Sequence, residues 1–347
     1  MELSLDELKG KLESYLGNRL GGTARIDRMF SLSGGACQDN YLVDLEMQGG
    51  NEPGNYELVM RTDKGGALLS SLNRVDEFAV VKMAHDSGVF TPQPYWLEAD
   101  ANVIGNPFYF MQRIQGKATG RYVVRDKSLN DYRKKLAPEL AASLARIHAV
   151  TPENCTDQAL RDRLFSSARV GDATAESRVA VFREWLAELP DAHPAIELAL
   201  NWLEKNAPET DQLVLVHGDF RTGNFMVSPE GLHGIVDWEF AHWGDRHEDI
   251  SWLCMRDWRF GKNNRPVGGF ALRKDFYEAY EKESGAKVDE QKVLYWEVIG
   301  NVGWALGAAQ QGERHISGAD RGIEFASIGR RVCEMEYEMM RLIESAG

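Results

Sequence analysis

Two periods of apolar residues run along the chain, and the change from one to the other divides it. Residues 4 to 16 place Leu5, Leu8 and Leu12 on one helical face behind Ser4 and Glu7, three apart. That pattern predicts a helix with a capping box at its start and Gly17 at its end. Period-two segments follow: one ending in "RMFSL", then "NYLVDLE", then "YELVMRT". In the second, Tyr41, Val43 and Leu45 face one way while Asp44 and Glu46 face the other, as in a half-buried strand. "SGGACQD" reads as a two-glycine turn between the first two strands. A helix is expected over "RVDEFAVVKMAHDSG", and a further strand over "NPFYFMQRI".

Past about residue 115 the period becomes helical. Leu136, Leu140, Leu144 and Ile147 share a face, as do Ile196, Leu200 and Leu203. Phe325, Ile328, Val332, Met335, Met339 and Leu342 extend the pattern to the tail and read as core packing. The strand signals in this half are "LVLV", "NFMVS" and "GLHGIVDW", with a "PEG" turn between the last two. The fold class expected is α+β in two lobes: a small antiparallel sheet over residues 1–114, and a larger helical lobe over residues 115–347.

Composition narrows the function classes. With 53 acidic against 40 basic residues, the net charge of −13 argues against nucleic acid or anionic membrane as partners. The charged start "MELSLDELKGK" lacks the apolar core of a signal peptide, and no apolar run reaches membrane-spanning length. Cys37, Cys155, Cys254 and Cys333 form no CxxC pair and read as reduced thiols of a cytoplasmic protein.

The chemistry concentrates in "HGDFRTGN", where Asn224 follows Asp219 by five residues, and in "GIVDWEF", where Asp237 ends an apolar strand across the hairpin. Two acids and an amide so arranged are the parts that phosphoryl transfer needs. A carboxylate accepts the proton of an attacking hydroxyl, and an oxygen pair holds Mg²⁺ on nucleotide phosphates.

"HGDFRTGN" followed by "IVDWEFAHWGD" resembles the catalytic and metal loops of the aminoglycoside phosphotransferase and choline kinase group, relatives of the protein kinases. The resemblance runs in order from about residue 25 to 255. It implies a protein-kinase-like fold and transfer of the γ-phosphate of ATP or GTP to a hydroxyl of a small molecule. It makes Asp219 the base, gives Mg²⁺ to Asn224 and Asp237, and leaves His217 to support the loop. Arg221 stands where protein kinases keep a lysine that reaches the γ-phosphate. Ser33, Gly34 and Gly35 lie where the family's turn covers the phosphates. Arg61 takes the place of the third-strand lysine, with Glu77 as its partner on the next helix and Lys64 as a competitor for the role. Met111, Gln112 and Ile114 fall at the hinge that meets adenine, or in a plain inter-lobe strand.

Several residues carry two readings. Asp245 and Asp249 are structural in the family, tying the following loop to the catalytic one. Glu239 either reaches a second Mg²⁺ or caps the loop. His242 and His247, taken with Asp237, Asp245 and Asp249, also suggest a metal-dependent phosphohydrolase. That reading gives the glycine turn, Arg61 and Glu77 no purpose. A nucleotide-binding pseudoenzyme would lack a base or a metal ligand, and neither is missing. For the acceptor, Arg256, Arg259, Lys262 and Arg265 favour an anionic hydroxyacid or hydroxyacyl derivative if they line the cleft, with Trp252, Trp258 and Trp304 as an apolar wall. The alternatives are an aminoglycoside or macrolide antibiotic, and a merely solvated basic loop.

Overall fold

The computed structural model describes residues 3–32, 38–63, 71–165, 173–319 and 321–347. The expected Ser33–Gly35 turn and Lys64 lie outside the described residues. The chain forms two compact units: residues 1–116 with 233–240, and residues 117–232 with 241–347.

The first unit begins with helix α1 (Leu5–Leu20), capped as expected by the reciprocal Ser4–Glu7 bonds. Gly17 does not stop it. Leu16 and Leu20 continue the apolar face, and their burial outweighs the propensity cost of one glycine, of about 1 kcal/mol. The left-handed Gly21 caps the end instead. Strands β1 (Thr23–Leu32), β2 (Gln38–Gln48) and β3 (Gly54–Asp63) form an antiparallel meander, followed by helix α2 (Arg74–Asp86). Strand β4 (Pro94–Glu98), which the apolar pattern did not announce, pairs with β5 (Phe108–Gln112), and the sheet order is β1-β2-β3-β5-β4. Val43 and Leu45 of β2 are buried, as their alternation predicts, and pack with Leu8, Leu12, Leu16, Leu58 and Phe110.

The second unit is mostly helical. Short α3 (Gly120–Arg125) precedes α4 (Arg133–His148), α5 (Gln158–Phe165), α6 (Ala175–Ala187) and α7 (Pro194–Lys205). Strands β6 (Leu213–Val216), β7 (Phe225–Ser228), β8 (Gly231–Ile235) and β9 (His242–Asp245) follow, with the boundary between units falling inside β8. The pattern missed β9, whose "HWGD" reads as loop. It becomes a strand because β6 supplies antiparallel partners from Leu213↔Asp245 to Val216↔His242. The remaining helices are α8 (Arg246–Cys254), α9 (Arg273–Ser284), α10 (Glu290–Ile316), α11 (Ile323–Gly329) and α12 (Val332–Ala346). Phe182, Leu200, Trp296, Val302 and Met339 centre the core of α6, α7, α10 and α12. The tail stripe is thus two helices: Met335, Met339 and Leu342 are buried, whereas α11 buries none of its residues. Among the described residues, no helix is long and apolar enough to cross a membrane.

Candidate active site

In the second unit the site grows from β6. Its strand bonds end at Val216, and the next residues turn away under the control of Asp249 on α8. The fully buried Asp249 carboxylate accepts from the amides of His217 (2.8 Å) and Gly218 (3.0 Å). Behind it, His148 Nε2 lies 3.3 Å from Asp249 and its Nδ1 2.7 Å from the Tyr280 hydroxyl. Burial pulls the His148 pKa down despite the carboxylate beside it, so the ring is neutral and links the tyrosine to the aspartate. His217 Nδ1 accepts from the Asp219 amide at 3.2 Å.

This framework presents Asp219 among three donors. Trp252 Nε1 gives to Oδ1 at 2.7 Å, and Asn224 Nδ2 gives to Oδ2 at 2.7 Å and to the Asp219 carbonyl at 2.9 Å. Arg221 Nε straddles both oxygens at 2.9 and 3.1 Å. The Arg221 guanidinium also lies over the Trp258 ring, 4.4 Å from its centroid. Gly223 permits this: its φ is +126°, and a Cβ there would lie 2.3 Å from Arg221 Nη1. Trp252 and Trp258 are buried and form a core cluster with the partly buried Trp304, successive centroids lying 5.8 and 5.7 Å apart. Because both bonds from the Asn224 amide nitrogen end on Asp219, its Oδ1 remains as a hard oxygen donor. That is the atom type Mg²⁺ takes.

The first unit holds a separate charged cluster. Arg61 Nη2 lies 2.8 Å from Glu77 Oε1 and 3.1 Å from Asp237 Oδ1. Burial works against its charge, but Glu77, Tyr109, Asp237 and Glu239 more than offset that and raise its pKa. Arg74, unremarked in the sequence, pairs with Glu77 on the same helix and with Asp63 Oδ1 at 2.9 Å. An i,i+3 pair of opposite charges at a helix start was the signal for it. Asp237 has φ +71°, uncommon for a residue with a side chain. Its carboxylate, whose Oδ1 meets Arg61, is of the hard oxygen type that Mg²⁺ takes. Glu239 is pushed up to about 8 by burial and by the nearby Asp237 and Glu77, and its carbonyl accepts from the Leu72 amide at 2.7 Å. Met111 and Gln112 lie in and at the end of β5, where the Gln112 amide already donates to Gln93. Ile114 packs over Gly234, where a Cβ would lie 2.5 Å from Ile114 Cδ1.

The histidine-rich cluster is taken up by internal pairs. His242 joins Glu248 (3.0 Å) and Arg178 (3.1 Å), and His247 joins Asp245 (2.6 Å). Asp245 also caps α8 by accepting from the His247 amide. No group of three or more His, Cys, Asp or Glu is arranged to hold a metal ion among the described residues.

The basic segment divides. Arg259 is buried, its guanidinium bonds the Cys254 carbonyl at 2.6 and 3.1 Å, and Glu297 lies 3.7 Å from it. Arg256 lies 3.5 Å from Glu338. Lys262 and Arg265 instead line a cavity with Arg133 and Lys134.

Residues 31–285 match the phosphotransferase enzyme family, APH. A mouse protein, acyl-CoA dehydrogenase family member 10, is 26% identical over 262 residues, which cover 74% of this chain. The chain spans only 22% of that relative's length, and no more than 30% of similar family member 11 proteins. Among solved structures, a Ralstonia eutropha protein provisionally named an aminoglycoside phosphotransferase has TM-score 0.71 at 19% identity, covering 97% of this chain and 98% of its own. Choline kinase from Streptococcus pneumoniae has TM-score 0.58 at 16% identity, covering 95% and 98%. At these identities the two structures speak to the fold, which is the α+β, protein-kinase-like one.

Proposed function

The chain belongs to the phosphotransferase enzyme family, and from that premise we propose that it moves the γ-phosphate of ATP or GTP to a hydroxyl of an anionic hydroxyacid or hydroxyacyl derivative. The observation that carries this reading is the Asp219 carboxylate, held by Trp252, Arg221 and Asn224 at the end of a rigid strand. A carboxylate fixed by donors on both oxygens cannot rotate away from an incoming hydroxyl. It accepts the hydroxyl proton as the oxygen attacks phosphorus. Arg221 neutralises Asp219 in the free protein and supplies a cation for phosphate charge when it swings off the base. Asn224 and Asp237 would hold Mg²⁺, which supplies charge neutralisation on the nucleotide phosphates. Arg61, oriented by Glu77, would offer a guanidinium to the same phosphates, with Ser33, Gly34, Gly35, Met111, Gln112 and Ile114 as the remaining proposed nucleotide contacts.

Two things support the acceptor class. The aligned part of the mouse relative belongs to a protein named for acyl-CoA chemistry. The exposed Lys262 and Arg265 of the basic segment suit an anionic acceptor better than a polycation. The test is release of ADP or GDP with Mg²⁺ over a panel of hydroxyacyl thioesters, free hydroxyacids, aminoglycosides and macrolides. Turnover of thioesters or hydroxyacids above the antibiotics is expected. Turnover confined to an antibiotic would replace the acceptor, and turnover of none would overturn the reading.

A further inference from the structure

A cavity of about 540 Å³ lies within the second unit, apart from Asp219, Arg221 and Asn224. Its charged lining is Arg133, Lys134, Lys262, Arg265 and a single carboxylate, Asp275. In a chain whose acids outnumber its bases, four cations to one acid inverts the average. The pairing is also inverted. Arg61, Arg74, Arg178, Arg183 and Arg273 all end on carboxylates. In the cavity, Arg133 bonds only uncharged oxygens: Val123 O at 2.9 Å, Asp126 O at 2.6 Å and Asn130 Oδ1 at 2.9 Å. Those bonds fix the guanidinium, and burial pulls its pKa down against the partial opposition of the nearby Asp126 carboxylate. The side chains of Lys134, Lys262 and Arg265 are exposed and, among the described residues, form no ion pair. Uncompensated cations around a concave surface raise the local potential for an anion.

The wall that carries Lys262 and Arg265 is built rather than loose. The Lys262 amide donates to Arg259 O at 2.8 Å, the Arg265 amide to Lys262 O at 2.9 Å, and the Gly269 amide to Arg265 O at 3.1 Å. A Cβ on Gly269, whose φ is +80°, would lie 2.4 Å from Arg259 O, so only glycine closes this turn. Thr222 Oγ1 donates to Gly268 O at 2.8 Å, which ties the turn to the loop carrying Asp219.

We propose that this cavity binds a phosphate monoester or diphosphate group. Lys262, Arg265 and Lys134 are the adjustable cations and Arg133 the fixed one. Two sources share that chemistry: a phosphorylated handle on the non-reacting end of the acceptor, and a free diphosphate. The first rests on the phosphotransfer reading above and narrows its acceptor to a hydroxyacyl group on a phosphorylated carrier.

Inorganic pyrophosphate, titrated calorimetrically with EDTA present, probes the cavity without metal. The wild-type chain should bind it, more weakly as salt is added. The double substitution Lys262→Glu with Arg265→Glu reverses the cavity's excess charge and should weaken binding tenfold or more. Both replaced side chains are exposed and, among the described residues, form no ion pair, so a circular dichroism spectrum matching wild type is expected. Absence of binding, or equal binding in the double variant, overturns the proposal. Steady-state kinetics then compares a hydroxyacyl thioester on a phosphorylated carrier with the same acyl group on a phosphate-free carrier. A tenfold rise in KM in the double variant for the first substrate alone, with KM for ATP unchanged, identifies the acceptor's handle. Equal KM responses identify a free diphosphate as the ligand. If neither thioester turns over while pyrophosphate binding still depends on Lys262 and Arg265, the acceptor reading falls and the anion site stands.

Discussion

Replacing Asp249 with asparagine tests whether the catalytic loop is held from behind. The substitution keeps the size of the side chain but exchanges one acceptor oxygen for a donor. In the wild type both oxygens are used, Oδ2 by the His217 amide and His148, Oδ1 by the Gly218 amide. Asparagine can serve one backbone amide and must point its own N–H groups at the other. One charge-assisted bond is lost, of about 1.5–3 kcal/mol, and a buried amide is stranded at about 1–3 kcal/mol more. The expected destabilisation is about 3–5 kcal/mol, a large share of the roughly 5–15 kcal/mol of a typical domain. Urea denaturation should show a lower midpoint with an unchanged slope. The same chain of bonds gives a pH signature. His148 has a lowered pKa when folded, so the unfolded chain takes up the proton first as pH falls. Stability from this group is full above its ordinary value near 6.5 and is lost as pH drops toward the folded value. His148→Gln should flatten that part of the profile. A loss below about 1 kcal/mol for Asp249→Asn would refute the reasoning, since the two amides would then have other acceptors.

Asp219→Asn should retain nucleotide affinity while turnover falls by about a hundredfold or more, the order expected for a lost general base. Asp237→Ala should abolish Mg²⁺-dependent nucleotide binding, and equal loss of binding in both variants would contradict the division of roles. Trp252→Phe removes one donor to Asp219 and should lower kcat several-fold and alter its pH profile, with KM for nucleotide unchanged; an unaltered profile would leave the indole a packing residue. Burial pushes the Cys254 thiol up to about 11, so alkylation of the native protein near neutral pH should label exposed Cys333 and spare Cys254. Peptide mapping reads the result, and prompt labelling of Cys254 would contradict its burial.

Much of the fold was legible because burial dictates period. Val43 and Leu45 alternate with Asp44 and Glu46, and Leu136, Leu140, Leu144 and Ile147 repeat at helical spacing, since each set faces one core. What failed were elements made by partners rather than by composition. Strand β9 contains glycine, histidine and aspartate and exists through β6, while β4 is five residues with proline at its start. The tail stripe hid a break beside Gly329 because apolar spacing continues across it. In the candidate site, Asp219, Asn224 and Asp237 stood out as polar residues ending apolar strands. Trp252 was read only as an apolar wall, since its bond to Asp219 spans thirty-three residues with no pattern to announce it. Arg259 shows the opposite case: its charge advertised solvent or ligand, yet it is buried, bonded to the Cys254 carbonyl and 3.7 Å from Glu297.

The first unit is discontinuous in sequence, and this bears on how the chain can be made and divided. Residues 233–240 give it the buried Trp238, whose indole N–H donates to Thr91 at 3.1 Å. They also give it the Ile235 amide bonded to Phe90 O at 2.7 Å and the Asp237 partner of Arg61. A ribosome delivers residues in order, so these partners wait unfilled until all of residues 117–232 has been synthesised. Strands and helices of the first unit can form early, but its charged corner closes late. A gene cut near residue 116 would release a fragment stripped of Trp238 at Thr91 and of one of the two carboxylates beside Arg61, with Glu77 remaining. Separately expressed halves should therefore aggregate or stay partly open unless residues 233–240 are supplied in trans.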